Sequence, residues 1–212
     1  MTSFQDISGV SCANSALTSR SRLRTKSMWY NGLRCGQGFF DPHEGTIEYH
    51  IVPHDSYASF IECGAVRLDV DESGSPVMVD IDLQGNRIHI DDSIIAPIPQ
   101  LLYRLRFLDF PIKTQLSHLR LLPDNSLCHI VFSRLIPTSF HSFSPGAIWE
   151  VDSGSCVVGL WLTDLIADPS GRQRAEWRAS VWQAYRRGRL QEIASINGRL
   201  ETGWLSAPKI FP

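Results

Sequence analysis

Gly64-Ala65-Val66-Arg67-Leu68-Asp69-Val70-Asp71-Glu72-Ser73-Gly74-Ser75-Pro76-Val77 recurs, loosely, as Gly146-Ala147-Ile148-Trp149-Glu150-Val151-Asp152-Ser153-Gly154-Ser155-Cys156-Val157. Upstream, Gly45-Thr46-Ile47 lines up with Asn125-Ser126-Leu127. A repeat at a spacing of about eighty residues predicts one β-rich unit used twice. Within the first unit, Asp71-Glu72-Ser73-Gly74 reads as a hairpin turn, with Gly74 where a left-handed residue is wanted. Val77, Val79, Ile81 and Leu83 alternate with Met78, Asp80 and Asp82, the pattern of an antiparallel strand with one buried and one wet face. The second unit repeats this grammar in Leu127 to Phe132, Ala147 to Val151, the turn Asp152-Ser153-Gly154 and Cys156 to Leu162. The last of these is apolar on both sides, which predicts cover on both faces.

Working outward, residues 1–27 are rich in Ser and Thr, without a sustained apolar period, and read as a flexible arm. Residues 28–212 then form a single globular domain. It comprises a β repeat at 39–90, a connector at 91–121, a second β repeat at 122–168, and a C-terminal helix and strap at 169–212. In the connector, Gln100 to Leu108 suits a short helix, with a strand as the alternative. In the tail, Trp177, Val181 and Ala184/Tyr185 recur at helical spacing, with Arg174, Arg178, Arg186 and Arg187 at other positions and Gly188 as a stop or kink. The expected fold is α+β and mainly β. Two antiparallel units form one sheet, a half-barrel or a sandwich, and the amphipathic helix covers one face.

The pattern Asp41-Pro42-x-x-Gly45-Thr46-x-x-Tyr49-x-Ile51, followed by Gly64-x-Val66-x-x-Asp69-x-Asp71-x-x-Gly74-x-x-Val77-x-x-Asp80-Ile81, resembles a small bacterial β-rich family of unknown function. The likeness covers roughly residues 40–83, with a degraded echo at 122–165 that keeps Asp152 and Gly154. The resemblance implies an antiparallel sheet and carries no activity with it.

The formal net charge of −2 hides an uneven distribution. Residues 1–38 carry five basic groups against Asp6. Residues 39–169 carry seven basic and eighteen acidic groups, or −11. Residues 170–200 carry seven arginines against Glu176 and Glu192. An acidic β body is therefore flanked by two basic ends. Five cysteines, Cys12, Cys35, Cys63, Cys128 and Cys156, are an odd number without a C-x-x-C pair, which predicts reduced thiols and a cytoplasmic setting. The longest apolar run, Cys156 to Leu162, is too short to span a bilayer, and no membrane association is expected.

Each chemical motif has a plainer alternative. Asp69, Asp71, Glu72, Asp80 and Asp82 are dense enough to attract a hard cation, but they also suit a solvated hairpin, and the twelfth place of an EF-hand-like reading is Asp80 instead of Glu. His43, His50, His54 and Cys63 have no zinc-motif spacing, so no metal and no cofactor are expected. Cys128 and His129 are adjacent on a strand and point to opposite faces, which leaves Cys63 and Cys128 as structural thiols. Phosphate-cradling loops are absent from the sequence.

Three functional readings follow. The first is a non-catalytic protein-binding or regulatory module, favoured by six tryptophans and the uneven charge. The second is a small-molecule enzyme with a pocket between the two units. There His50, His54, Asp69 and Glu48 would serve as acid–base groups, with Tyr49, Trp149 and Glu150 lining the pocket. The third is RNA or single-stranded DNA binding through Arg178, Arg186 and Arg187, with Trp182 stacking on a base. Against it stands an internal use of the helix, its arginines meeting the acidic β body.

Overall fold

The computed structural model describes residues 22–190, apart from 30–33, 87, 100, 111 and 115–117. The proposed terminal strap and most of the proposed arm lie outside these residues. The strands run β1 (Leu23–Trp29), β2 (Cys35–Asp41), β3 (Thr46–Val52), β4 (Tyr57–Cys63), β5 (Val66–Asp71), β6 (Pro76–Asp82), β7 (Ile88–Ile90), β8 (Leu101–Phe107), β9 (Ile112–Thr114), β10 (His118–Leu121), β11 (Leu127–Val131), β12 (Ser139–Ser144), β13 (Ala147–Val151), β14 (Cys156–Thr163) and β15 (Ile166–Ala167). Helix α1 (Arg172–Arg186) closes the order. The described residues are thus mainly β with helix α1 near their C-terminal end, as the alternation and the Trp177/Val181 period predict. No helix among the described residues is long and apolar enough to cross a membrane.

The strands form two sheets, β1-β8-β12-β13-β14-β11-β10-β7 and β15-β2-β3-β6-β5-β4-β9, with β1 also touching β14. The duplication is visible in these orders. β2-β3-β6-β5-β4 in one sheet has the same path as β10-β11-β14-β13-β12 in the other. Parallel strands complete both units in the same places. β9 lies on β4 as β8 lies on β12, and β15 lies on β2 as β7 lies on β10. The last strand of each unit joins the other unit's sheet: β7 follows β6 in the chain but pairs with β10, and β15 follows β14 but pairs with β2.

Three expectations need correction. Residues 23–27 belong to β1, which pairs with β8 from Thr25↔Phe107 to Trp29↔Tyr103, so the arm ends earlier than predicted. The first repeat begins at Cys35, ahead of residue 39: Gly36-Gln37-Gly38 lies in β2, where the missing side chains admit Tyr49 and Leu165. The segment 91–121 is no simple connector. Most of Gln100 to Leu108 becomes β8, the strand alternative, and β10 is the second unit's counterpart of β2.

One apolar core lies between the sheets. Ile47, Tyr49, Leu68 and Val79 from one meet Leu105, Phe107, Trp149 and Leu160 from the other. Tyr49 and Trp149 are both 0% exposed. The Tyr49 hydroxyl shares a hydrogen bond with Ser144 Oγ at 3.0 Å and donates to the Pro145 carbonyl, which satisfies a buried polar group across the two sheets. Two smaller clusters lie on the outer faces. Ile94 from the 91–99 loop covers Leu127, Ile148 and Trp161 on one face, which gives β14 its predicted double cover. On the other, Val181 of α1 packs on Cys35 and Val52, with Trp177 and Trp182 beside them.

Helix α1 starts where Gly171 takes φ 67° and Asp168, 3% exposed, accepts hydrogen bonds from the Gln173 and Arg174 amides. Those amides lack intrahelical partners in the first turn, and a carboxylate there also meets the positive end of the helix dipole. Gly188 at φ 67° ends the helix.

Candidate functional site

Burial fixes the true register of the duplication. Ile47, Tyr49, Leu68, Val79 and Ile81 face the core in the first unit, and Cys128, Ile130, Trp149, Leu160 and Leu162 do so in the second. Corresponding residues are therefore 81 apart, as in Ile47/Cys128, Leu68/Trp149 and Val79/Leu160. The sequence alignment, at spacings of 80 and 82, slips these strands by one residue. A one-residue slip turns every side chain to the opposite face. In the correct register, Glu48, Asp69 and Asp80 on the outer face of one sheet occupy the places of His129, Glu150 and Trp161 on the outer face of the other.

In the first unit, Glu48 lies directly opposite Asp80 across β3–β6, and Arg67 lies opposite Asp80 across β5–β6. Glu48 Oε2 is 2.9 Å from His50 Nε2, and Glu48 Oε1 accepts from Arg174 of α1. The hydrogen bond from His50, with help from Arg174, holds the Glu48 carboxyl below the usual range. Asp69 accepts from Arg67 Nε at 2.8 Å. Burial, and then the neighbouring charges of Glu48 and Asp69, push the Asp80 carboxyl above the usual range. Facing carboxylates of opposite tendency give an acid–base pair its pattern.

Of the predicted acid–base group, then, Glu48 and His50 meet, and Asp69 stands close enough to act on Asp80. His54 does not join them. Its Nδ1 is 2.7 Å from the Asp55 carbonyl, and its ring sits edge-on to Trp182 of α1 at 5.2 Å. The predicted pocket between the units is filled: Tyr49 and Trp149 are core and line no cleft, because the tyrosine and tryptophan rings are what joins the sheets. Glu150 lies on the opposite outer face. Sequence reasoning placed Asp80 only in the acidic cluster and Arg174 only on the basic helix, and put neither beside Glu48. The β3–β6 register that places Asp80 beside Glu48 is a long-range pairing, and only the alternation of 77–83 hinted at its face.

In the second unit, Glu150 Oε1 accepts from Trp161 Nε1 at 2.7 Å, and Oε2 is 3.4 Å from His129 Nε2. His129 stacks on Trp161 with centroids 3.7 Å apart and planes 6° from parallel. Gly159 makes room, since a Cβ there would stand 2.0 Å from Glu150 Oε2.

The described thiols are structural. Cys35, Cys63, Cys128 and Cys156 are free and buried, and burial raises Cys35 to about 11 and Cys63 to about 12. Such thiols stay protonated and unreactive at neutral pH. No group of three or more His, Cys, Asp or Glu among the described residues is arranged to hold a metal ion.

Helix α1 divides its cations. Arg174 turns inward to Glu48, and Arg172 pairs with Glu176 along the helix at 2.7 Å. Arg178, Arg186 and Arg187 are exposed, and no ion pair reaches them among the described residues. They border a surface depression with Ala175, Ala179 and Trp182. Tyr185, 45% exposed, stands edge-on to Trp182. Of Arg172, Arg174, Arg178, Arg186 and Arg187, Arg174 is the one that realises the internal use foreseen for the helix arginines.

No protein-family model matches this chain, and no curated protein matches it.

Proposed function

We propose that the protein is a non-catalytic binding module whose outward α1 face takes a short acidic segment of a protein partner. The observation that carries this reading is the division of the helix cations: one ties α1 to the β body, while Arg178, Arg186 and Arg187 remain exposed beside Trp182 and Tyr185. Exposed arginines beside partly buried aromatic side chains are the usual anchors of protein interfaces. The basic face is short, about 14 Å from Arg178 to Arg187 along the axis. A long polyanion would run beyond it onto an acidic body and be repelled there.

The test is joint replacement of Arg178, Arg186 and Arg187 by Gln, with binding followed for a fluorescent glutamate-rich peptide and for single-stranded oligonucleotides. The native protein is expected to bind the peptide saturably and with salt sensitivity, and the triple variant about tenfold more weakly. Equal binding by the triple variant overturns the proposal. Tighter binding of the oligonucleotides replaces it with the nucleic-acid reading.

A second reading rests on Glu48 and Asp80. Their opposed proton affinities suit acid–base chemistry on a small molecule laid on the outer face of the β3–β6–β5 sheet, beside α1 instead of between the units. Glu48→Gln abolishing turnover, in a protein that still folds, is its expected signature.

A further inference from the structure

A single row crosses the outer face of the second unit's sheet. His89 of β7 pairs with Arg120 of β10, Arg120 with His129 of β11, and His129 with Trp161 of β14. Residues paired in this way point to one face, and neighbouring strands lie about 4.8 Å apart. Three cation-capable side chains therefore stand in line within about 10 Å, with His118 one step from Arg120 on the same edge. A surface depression opens along this edge, lined by Asn86, Ile88, His89, His118, Leu119 and Arg120.

Two carboxylates face the row, Asp91 near His89 and Arg120, and Glu150 beside His129, yet neither makes a hydrogen bond to these three side chains. Arg120 Nη1 is 3.9 Å from Asp91 Oδ2, too long for a hydrogen bond, and Asp91 Oδ1 already accepts from both the amide and the hydroxyl of Ser93. At the inner end, the His129 side chain is nine-tenths buried, and neither ring nitrogen has a hydrogen-bond partner among the described residues. Glu150, beyond it, spends one oxygen on Trp161 and stands 3.4 Å from the imidazole with the other. A buried unpaired donor is costly, and a guanidinium held only by one long contact keeps most of its five donors free.

We propose that this β7–β10–β11 row binds the phosphate group of a small molecule. A tetrahedral oxyanion has enough acceptor oxygens to bridge Arg120 and the flanking imidazoles at once. The site is separate from the α1 face and does not depend on the function proposed for it.

Histidine ring signals are followed by NMR while inorganic phosphate, or separately glycerol phosphate, is added to the whole chain. Saturable shifts of the His89, His118 and His129 signals are expected. Arg120→Gln is expected to weaken binding about tenfold, whereas the triple Gln variant of Arg178, Arg186 and Arg187 leaves it unchanged. Arg120 is exposed enough for its replacement to fold, and His118→Gln provides a second variant on the same edge. Preference for glycerol phosphate marks a phosphate monoester as the ligand, and equal binding marks free phosphate. Absence of saturable shifts, or shifts that persist in Arg120→Gln and disappear in the triple variant, overturns the proposal.

Discussion

At Ser155 the chain takes φ 59°, and at the matching place in the first unit Gly74 takes φ 78°. The two turns share their backbone hydrogen-bond pattern. Asp71 Oδ1 accepts from the amides of Ser73 and Ser75, and Asp152 Oδ1 from those of Gly154 and Cys156. The Gly74 amide donates to the Asp71 carbonyl, and the Ser155 amide to the Asp152 carbonyl. The sequence alignment pairs Gly74 with Gly154 because glycine is the letter expected in a left-handed turn. In the structure Gly154 is not left-handed, and the serine after it bears the strain that glycine avoids. Ser155→Gly is therefore expected to stabilise the fold by about 0.5–1 kcal/mol, after the greater freedom of glycine in the unfolded chain is subtracted. Its exposed side chain offers no compensating burial, and the hydrogen bond from Thr25 Oγ1 goes to its carbonyl. Chemical denaturation checks this; a lowered midpoint counts against the assignment of strain.

Between elements, the joint of α1 with β3, flanked by Asp80 of β6, concentrates the charges. α1 was legible as a helix, since Trp177 and Val181 recur on one face, and Val181 is fully buried. Its attachment was not, because Arg174 meets Glu48 across 126 residues of sequence. β8 was ambiguous for a related reason: a short apolar stretch with interleaved arginines fits either period, and only its pairing with β1 decides. The joint predicts opposite pH behaviour for two facing carboxylates. The Glu48 carboxyl is held low, so its contribution is present above the unfolded value and is lost as pH falls through the folded one. The Asp80 carboxyl is held high, so the fold is favoured below the unfolded value, and that advantage is lost as pH rises through the folded one. Asp80→Asn should therefore raise the melting temperature at neutral pH, with the gain fading in strong acid, and Glu48→Gln should lower it at neutral pH. Melting curves across pH test both, and an Asp80→Asn variant less stable at neutral pH contradicts the reading.

Across the whole molecule, the repeat is legible as grammar and illegible as geometry. Hairpin turns and alternation survive in both units, whereas the exchange of β7 and β15 between sheets leaves no local mark, since each is a strand of three residues or fewer. That exchange, the Tyr49 hydrogen bonds and the shared core make neither sheet a separable unit. Trp149 is the sharpest probe: it is wholly buried and packs edge-on against Phe107 at 5.7 Å. Trp149→Ala is expected to cost about 3–5 kcal/mol by lost burial and the cavity left behind. If the sheets unfold together, the amides of β5 and β6 in the opposite sheet lose protection from hydrogen exchange by the same free energy as those of β13 and β14. If only β13 and β14 lose protection, the units are independent and the strand exchange does not couple them. Because β14 has apolar cover on both faces and pairs with both β11 and β13, its opening removes the partner surface of β3, β5 and β6 at the same moment, so a common loss is the expected result.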